Sequence, residues 1–202
     1  VELKNLRSQM NPHFLFNTLN NIYALTEIAP AKAQEAMLGL SKILRYILYD
    51  NNQNTVLLTK ELLFTKSYTD IMSLRISSKT KISLKMPDEE SASTFSIAPL
   101  LFITLIENAF KHGISQTEKS FIDICISIEE DRIKGTKTID CMVKNSYFPK
   151  NKTDISGSGI GINNLKRRLE LLYPGKHLYS SEIKEGTYRA ILQITIEPDN
   201  KL

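Results

Sequence analysis

Cysteine is scarce in this chain. Its 202 residues hold two, Cys125 and Cys141, whose separation matches neither a metal-ligand spacing nor a disulfide framework, so a reducing compartment is the default. Long apolar runs are missing too. The longest, Ile97 to Ile106, is too short to cross a bilayer and is broken by Pro99 and Thr104. The opening residues do not read as a secretory leader. Neither sign of charge dominates: Lys and Arg number 26 against 22 Asp and Glu, a net +4 spread along the chain. A nucleic-acid groove gathers its basic residues in a cluster, so direct nucleic-acid binding is not indicated. Glycine is almost absent from the first third, where Gly39 stands alone. What remains, 42% hydrophobic and 24% charged, is the composition of an ordinary globular protein. Disordered tails, collagen-like repeats and disulfide-stapled miniproteins are excluded. The chain starts at Val1 with Leu3 and Leu6 already in helical phase, and reads as a fragment whose natural N-terminal part lies upstream.

Apolar periodicity then divides the chain. Leu3, Leu6, Met10, Phe14, Leu15, Leu19, Ile22 and Leu25 recur at mostly helical intervals and predict a helix from Glu2 to about Ile28. Pro30 breaks it. A second helix is predicted from Ala31 to Tyr49, with Ala33, Ala36 or Met37, Leu40, Ile43 or Leu44, and Ile47 inward. The polar run Asp50 to Asn54 ends it as a linker. Two helices joined by so short a break form an antiparallel hairpin. Pairing with a second copy into a four-helix bundle is the simplest way to bury both stripes; packing on the rest of the same chain is the alternative.

After the linker, Thr59 is placed to cap a helix running to about Ile76, with Leu62, Leu63, Ile71 and Leu74 inward. Lys81 to Met86 reads as a short strand. Pro99 suits the first position of a helix through His112, stopped by Gly113. Phe121 to Glu129 and Thr138 to Asn145 alternate as two strands of a hairpin. A polar loop, Ser146 to Ser158, leads to a helix from Ile160 to Leu172. Strands at about Leu178–Ile183 and Thr187–Ile196 are joined at Glu185-Gly186. The expected fold is α+β: a two-helix hairpin, then an α/β sandwich with one mixed or antiparallel sheet and helices on one face.

Three segments bear chemistry. Gln9, His13 and Asn17 recur every four residues, on one helical stripe. A histidine is largely neutral at pH 7, so a ring nitrogen is free to attack an electrophile, and Pro12 removes a backbone donor just before it. The plain alternative is a surface histidine beside a tolerated kink. Next, Glu107, Asn108, Lys111 and His112 bring a carboxylate, an amide, an amine and an imidazole into little more than one turn. Oxygen ligands suit Mg²⁺ and a lysine suits a phosphate, although Lys and His also favour a helix C-terminus on dipole grounds. Last, Gly157, Gly159 and Gly161 lead directly into a helix, where backbone N–H groups meet a polyphosphate readily. No Gly-Lys-Ser/Thr follows and the G-x-G-x-x-G spacing is absent, so neither a Walker loop nor a dinucleotide fingerprint is present; a flexible hinge is the alternative. The basic run Lys166 to Arg168 behind it reads as a solvated helix face.

Taken together and in this order, these segments resemble the LytS-type sensor histidine kinase family along nearly the whole chain. Leu6-Arg-Ser-Gln-Met-Asn-Pro-His-Phe-Leu-Phe-Asn-Thr-Leu-Asn-Asn21 is similar to that family's phosphoacceptor box and Leu44-Arg45-Tyr46 to its second-helix signature. Ile106 to Gly113 resembles its N box, and Gly157 to Asn164 its glycine box. Gly186-Thr187 looks like the closing pair of the ATP-binding fold shared with gyrase and Hsp90. The resemblance implies a dimeric hairpin over 1–54 carrying His13, and an ATP-binding domain over 55–202. It implies Asn108 as Mg²⁺ ligand with Glu107 nearby, Lys111 and His112 on phosphate, and Asn145, Asn164 and Thr187 with the glycines around the nucleotide. His13 would receive the ATP γ-phosphoryl and pass it to an aspartate of a response regulator, expected to carry a LytTR DNA-binding domain. Asn17 would orient water for dephosphorylating that regulator. The full-length protein is expected at the cytoplasmic face of the inner membrane, anchored by segments upstream.

The sequence also departs from related patterns. Phe14, not an acid, follows the phosphoacceptor, so it offers no general base there. Asn145 replaces the aspartate that many such domains use for adenine, and Thr104 stands where an acid often precedes the N-box asparagine. Two rivals to an active kinase follow. One is a dimeric scaffold with a degenerate nucleotide site. The other is an ATPase whose nucleotide drives dimer closure, which would need no histidine on a separate hairpin.

Overall fold

The structure of the protein, a computed structural model, describes residues 12–49, 54–74, 76–131, 135–149 and 160–196; at 12–14, 17 and 160 it describes the backbone alone. Two compact units are present. The first runs to Ile76 and includes Phe95–Leu100; the second comprises Ser77–Thr94 and the chain from Leu101 onward. By compactness the chain therefore divides later than the polar run at 50–54.

The first unit is helical. Helix α1 spans Pro12–Ile28 and α2 Pro30–Leu48, with Ala29 between them. The predicted turns from Glu2 to Asn11 lie outside the described residues. In α2 the inward residues are Ala33, Ala36, Leu40, Ile43 and Tyr46. Tyr46 takes the place expected for Ile47, because its ring stacks on Phe64 at 4.7 Å between centroids and its hydroxyl donates to the carboxylate of Glu61. Both partners lie on α3, Leu58–Ser73, so α2 packs on its own chain as well as on α1. Gly39 serves this packing: a Cβ there would stand 3.3 Å from Ile71.

Thr59 does not cap α3. Strand β1, Val56–Leu57, pairs antiparallel with β3, Ser96–Ile97, and runs straight into the helix. The Leu58 N–H then finds the Phe95 carbonyl at 2.8 Å, and no side-chain cap forms. Leu62 and Ile71 are buried as expected, whereas Leu63 is half exposed.

The second unit is built on a five-stranded mixed sheet. Its strands are β2 (Thr80–Lys85), β4 (Ser120–Asp131), β5 (Thr136–Ser146), β6 (His177–Lys184) and β7 (Thr187–Ile196), in the order β2-β4-β5-β7-β6. β2 joins β4 in parallel and the other pairings are antiparallel. Period-2 alternation fixes one apolar face: Ile122, Ile124 and Ile126 of β4, Ile139, Cys141 and Val143 of β5, and Ala190, Leu192 and Ile194 of β7 are all buried. Register aligns them, with Ile124 beside Val143 and Val143 beside Ala190. Each buried isoleucine, leucine or valine among them contributes roughly 1.5–3 kcal/mol by leaving water. Helices α5 (Ile103–His112) and α6 (Ile160–Leu172) pack on the sheet, α5 on β4 and β5, α6 on β6. A short helix α4, Glu89–Ser93, was not foreseen; Asp88 caps it by accepting from the Ser91 N–H at 2.7 Å.

Helix α5 begins four residues later than Pro99 predicts. Leu100 stands at φ 59°, and a left-handed residue cannot lie inside a right-handed helix. The β6–β7 turn behaves as expected. Glu185 and Gly186 have φ 49° and 71°, the positive pair that a two-residue hairpin turn requires.

Gly113 seats α5 on the sheet. A Cβ there would lie 2.6 Å from the Ala109 carbonyl oxygen and 2.6 Å from Asn145 Cβ. Gly113→Ala is expected to lower stability by about 1–3 kcal/mol or more, since backbone must move. Urea unfolding with sheet-specific circular dichroism checks this; an unchanged midpoint would show that α5 is not held so close.

Candidate functional site

Most of the chemistry-bearing residues gather in the second unit. Thr104, Asn108 and His112 recur every four residues on α5 and form one stripe. At its start, Thr104 Cγ2 lies 3.5 Å from where a Cβ on Gly161 would stand, so the stripe begins against the first turn of α6. That separation is ordinary van der Waals contact and Gly161 is in the helix; close steric approach does not require glycine there. Gly157 and Gly159 lie outside the described residues. Asn164, half-buried, follows Gly161 by three residues on α6.

At the other end of α5, Gly113 abuts Asn145, which is buried at the close of β5. The Asn145 Nδ2 donates to the Ser146 carbonyl at 2.8 Å. Its Oδ1 is buried and has no hydrogen-bond partner among the described residues. A buried acceptor left unpaired costs free energy, so this atom stands ready for a donor. Across the ladder, Asn145 is flanked by Ile122 on one side and Tyr188 on the other. Thr187 pairs with Ser146 instead, so alternation puts it on the opposite side of the sheet from Asn145. The strand ends are tied together there, as the Tyr147 N–H donates to the Gly186 carbonyl at 2.7 Å.

Tyr188 is the residue that motif reading missed. Its signal was the parity of β7, which puts Tyr188 on the same face as Ala190, Leu192 and Ile194, directly opposite Asn145. The basic run on α6 also divides. Lys166 and Arg167 are exposed as expected, with Lys166 Nζ 5.1 Å from the centre of the Tyr179 ring, but Arg168 is buried.

His13 and Asn17 are in the first unit. Their four-residue spacing on α1 puts them on one stripe of the backbone helix, while Gln9 lies outside the described residues. The exposed Lys111 and half-buried Glu107 lie one turn apart on α5. Burial raises the Glu107 carboxyl from 4.5 to about 7, against the opposing pull of the Lys111 charge. Between those values the folded chain holds more protons at Glu107 than the unfolded chain does, so this group's contribution to stability falls as pH rises through the window. Glu107→Gln, which cannot ionise, is expected to lose that slope. Without nucleotide or magnesium, its unfolding midpoint should gain on the parent between about pH 5 and about pH 8. A constant difference across that range would show that Glu107 is ordinarily ionised.

Comparison with known proteins bears on the family. A family model described as histidine kinase matches residues 1–80. Sensor protein LytS of Staphylococcus haemolyticus is 30% identical over 98% of this chain and 35% of its own length. Sensor histidine kinase/phosphatase LytS of Staphylococcus aureus is 31% identical over 86% of this chain and 30% of its own length. Among solved structures, the histidine kinase domain of the Erythrobacter litoralis EL346 blue-light activated histidine kinase aligns over 96% of this chain and 92% of its own, at 13% identity and a TM-score of 0.49. The chain thus spans about a third of the length of the curated relatives it matches. With the ordered boxes around His13, Asn108 and Gly161, the chain is similar along nearly its whole length to the LytS-type sensor histidine kinases.

Proposed function

We propose that this chain is the phosphoryl-transferring part of a two-component sensor kinase, in which His13 accepts the γ-phosphoryl group of ATP and hands it to an aspartate of a response regulator. The observation that carries the reading is the state of Asn145. One N–H of its amide is committed to the Ser146 carbonyl, and the buried Oδ1 remains as an acceptor. An amide so oriented still presents an acceptor to a ligand, as a carboxylate would. The exchange of aspartate for asparagine therefore leaves recognition of an exocyclic amine such as that of adenine intact, and speaks against a degenerate nucleotide site.

The other residues take roles that their chemistry supports. Asn108 offers an amide oxygen to Mg²⁺, which commonly takes one or two protein oxygens and completes its shell with phosphates and water. Among the described residues no cluster of three or more His, Cys, Asp or Glu forms a protein-only alternative. The metal, when bound, neutralises charge on the phosphates. Lys111, exposed on the last turn of α5, and His112 bear on phosphate oxygens, and Glu107 can hold or release a proton near neutral pH. Gly157, Gly159 and Gly161 with Asn164 would let the loop close over the nucleotide. Thr187 would act from the strand end, on the opposite side of the sheet from Asn145. A neutral imidazole at His13 supplies the nucleophile. The phosphoacceptor belongs to the hairpin of 1–54 and the nucleotide to 55–202.

A homodimer completes the proposal. Phe16, Leu19 and Tyr23 recur at helical spacing on α1 and are more than half exposed, a stripe that a second hairpin would cover. The regulator partner is expected to carry a LytTR domain, so DNA is contacted through it. The S. aureus relative is named a kinase/phosphatase, and Asn17, one turn after His13, is the residue we assign to water in that reverse step. No described helix is long and apolar enough to cross a membrane.

Labelling with γ-phosphate-tagged ATP tests the whole. Wild-type chain should take up acid-labile label, and His13→Gln should abolish it; label surviving in that variant would remove His13 as acceptor. Asn108→Ala should block labelling while leaving the dimer intact by light scattering. For the nucleotide site, Asn145→Asp should bind ATP within about tenfold of the parent and Asn145→Leu far more weakly, in line with loss of a buried hydrogen bond. Equal binding by the leucine variant would dispose of the adenine contact.

A further inference from the structure

The chain crosses from the first unit to the second immediately after Leu100, and Leu100 is the strained residue described above. Leucine has no intrinsic tolerance for φ 59°, and side chains other than Gly, Asn and Asp adopt it only when their surroundings hold them there. What holds Leu100 is Glu61. The Leu100 N–H donates to Glu61 Oε2 at 3.0 Å. The same oxygen accepts from the hydroxyl of Tyr46. Glu61 is wholly buried, and so are its two donors' residues. A carboxylate withdrawn from water is an expensive way to hold a turn unless strong, charge-assisted hydrogen bonds offset its desolvation. One oxygen atom thereby ties three segments: α2, on the hairpin that bears His13; α3; and the backbone from which the chain runs on to Ile103 and the helix that bears Asn108.

We propose that Glu61 and Tyr46 form a clamp that fixes the Leu100 turn, from which the chain passes to α5, and that phosphoryl transfer to His13 depends on that turn. With the clamp closed, Leu100 keeps its left-handed conformation. With the clamp opened, Leu100 relaxes toward ordinary right-handed or extended backbone and the turn is lost. Neither residue touches ATP in this scheme: Glu61 is a positioning residue, and Tyr46 orients its carboxylate. Tyr46 lies in the segment Leu44-Arg45-Tyr46, so the stretch that marks the second helix of the hairpin gains a physical task. The inference rests on the kinase reading, since its main readout is labelling of His13.

The test compares the parent with Tyr46→Phe, Glu61→Gln and Glu61→Ala. Three quantities are followed: the rate of His13 labelling at saturating ATP, the KM for ATP, and deuterium exchange at the Leu100 amide. Glu61→Gln keeps an acceptor oxygen and should stay within about threefold of the parent rate. Tyr46→Phe keeps the ring that stacks on Phe64 and loses only the hydroxyl. It should label about five- to tenfold more slowly, the effect of one hydrogen bond on a barrier. Its KM should be unchanged and its Leu100 amide should exchange faster. Glu61→Ala should show the larger effect in the same direction, and if it fails to fold, Tyr46→Phe carries the test. A Tyr46→Phe chain that labels at the parent rate overturns the clamp, as does one in which KM and unfolding temperature shift while the saturated rate holds. A parent chain that takes no label fails the kinase reading itself, and the positioning role falls with it.

Discussion

Where α5 ends, Gly113 comes so close to β5 that a Cβ would stand 2.6 Å from that of Asn145, and the layout of the second unit follows from that approach. It brings the Asn108 stripe and the end of the apolar sheet face to the same edge. It also turns the Asn145 amide so that its donor meets Ser146 and its acceptor stays unpaired. A larger residue at 113 would separate the helix from the strand, and with it the polar end of α5 from the buried amide. The opposite end of α5 depends on a softer contact, Thr104 against Gly161, where the chain emerges from the glycine-rich segment.

The two units are stabilised differently. In the second, a continuous apolar face drawn from three neighbouring strands does most of the stabilising, and the alternation that produces it is plain along β4 and β5. In the first, the interior mixes ring stacking with a buried carboxylate: Tyr46, Phe64 and Tyr68 form a run of rings beside Glu61. On α1, Ile22 is buried while Phe16, Leu19 and Tyr23 are exposed.

Much of this was legible in the chain. The isoleucine alternation at 122, 124 and 126 located β4 and its buried face, and the stripe Leu165, Leu169 and Leu172 bounded α6 at the residues found. The glycine at 186 marked the last turn. What was not legible depended on partners far away in sequence. Nothing local in Leu100 announces a left-handed backbone; it follows from a carboxylate 39 residues earlier. Pro99 therefore misled, since its preference for a first helical turn was overridden by the residue after it. Tyr46 rather than Ile47 turned inward for the same reason: its ring has Phe64 to stack on and its hydroxyl has a buried acceptor to meet. The pairing of β1 with β3, only two residues each, leaves no periodicity to read.

That pairing has a consequence for how the molecule comes into being. The helical unit takes one of its two strands, β3, from residues that follow an excursion through β2 and α4 of the other unit. On the ribosome, the hairpin and α3 emerge first yet lack the Phe95 carbonyl and the strand that complete them. They must wait until the chain has grown past Leu100. The part that comes first in the sequence is therefore not finished when its helices are made, although it is complete before the sheet, whose strand β7 ends at Ile196. Its β1–β3 pairing closes across residues that belong to the other unit, so a cut anywhere between Ile76 and Phe95 leaves β1 and β3 on separate chains.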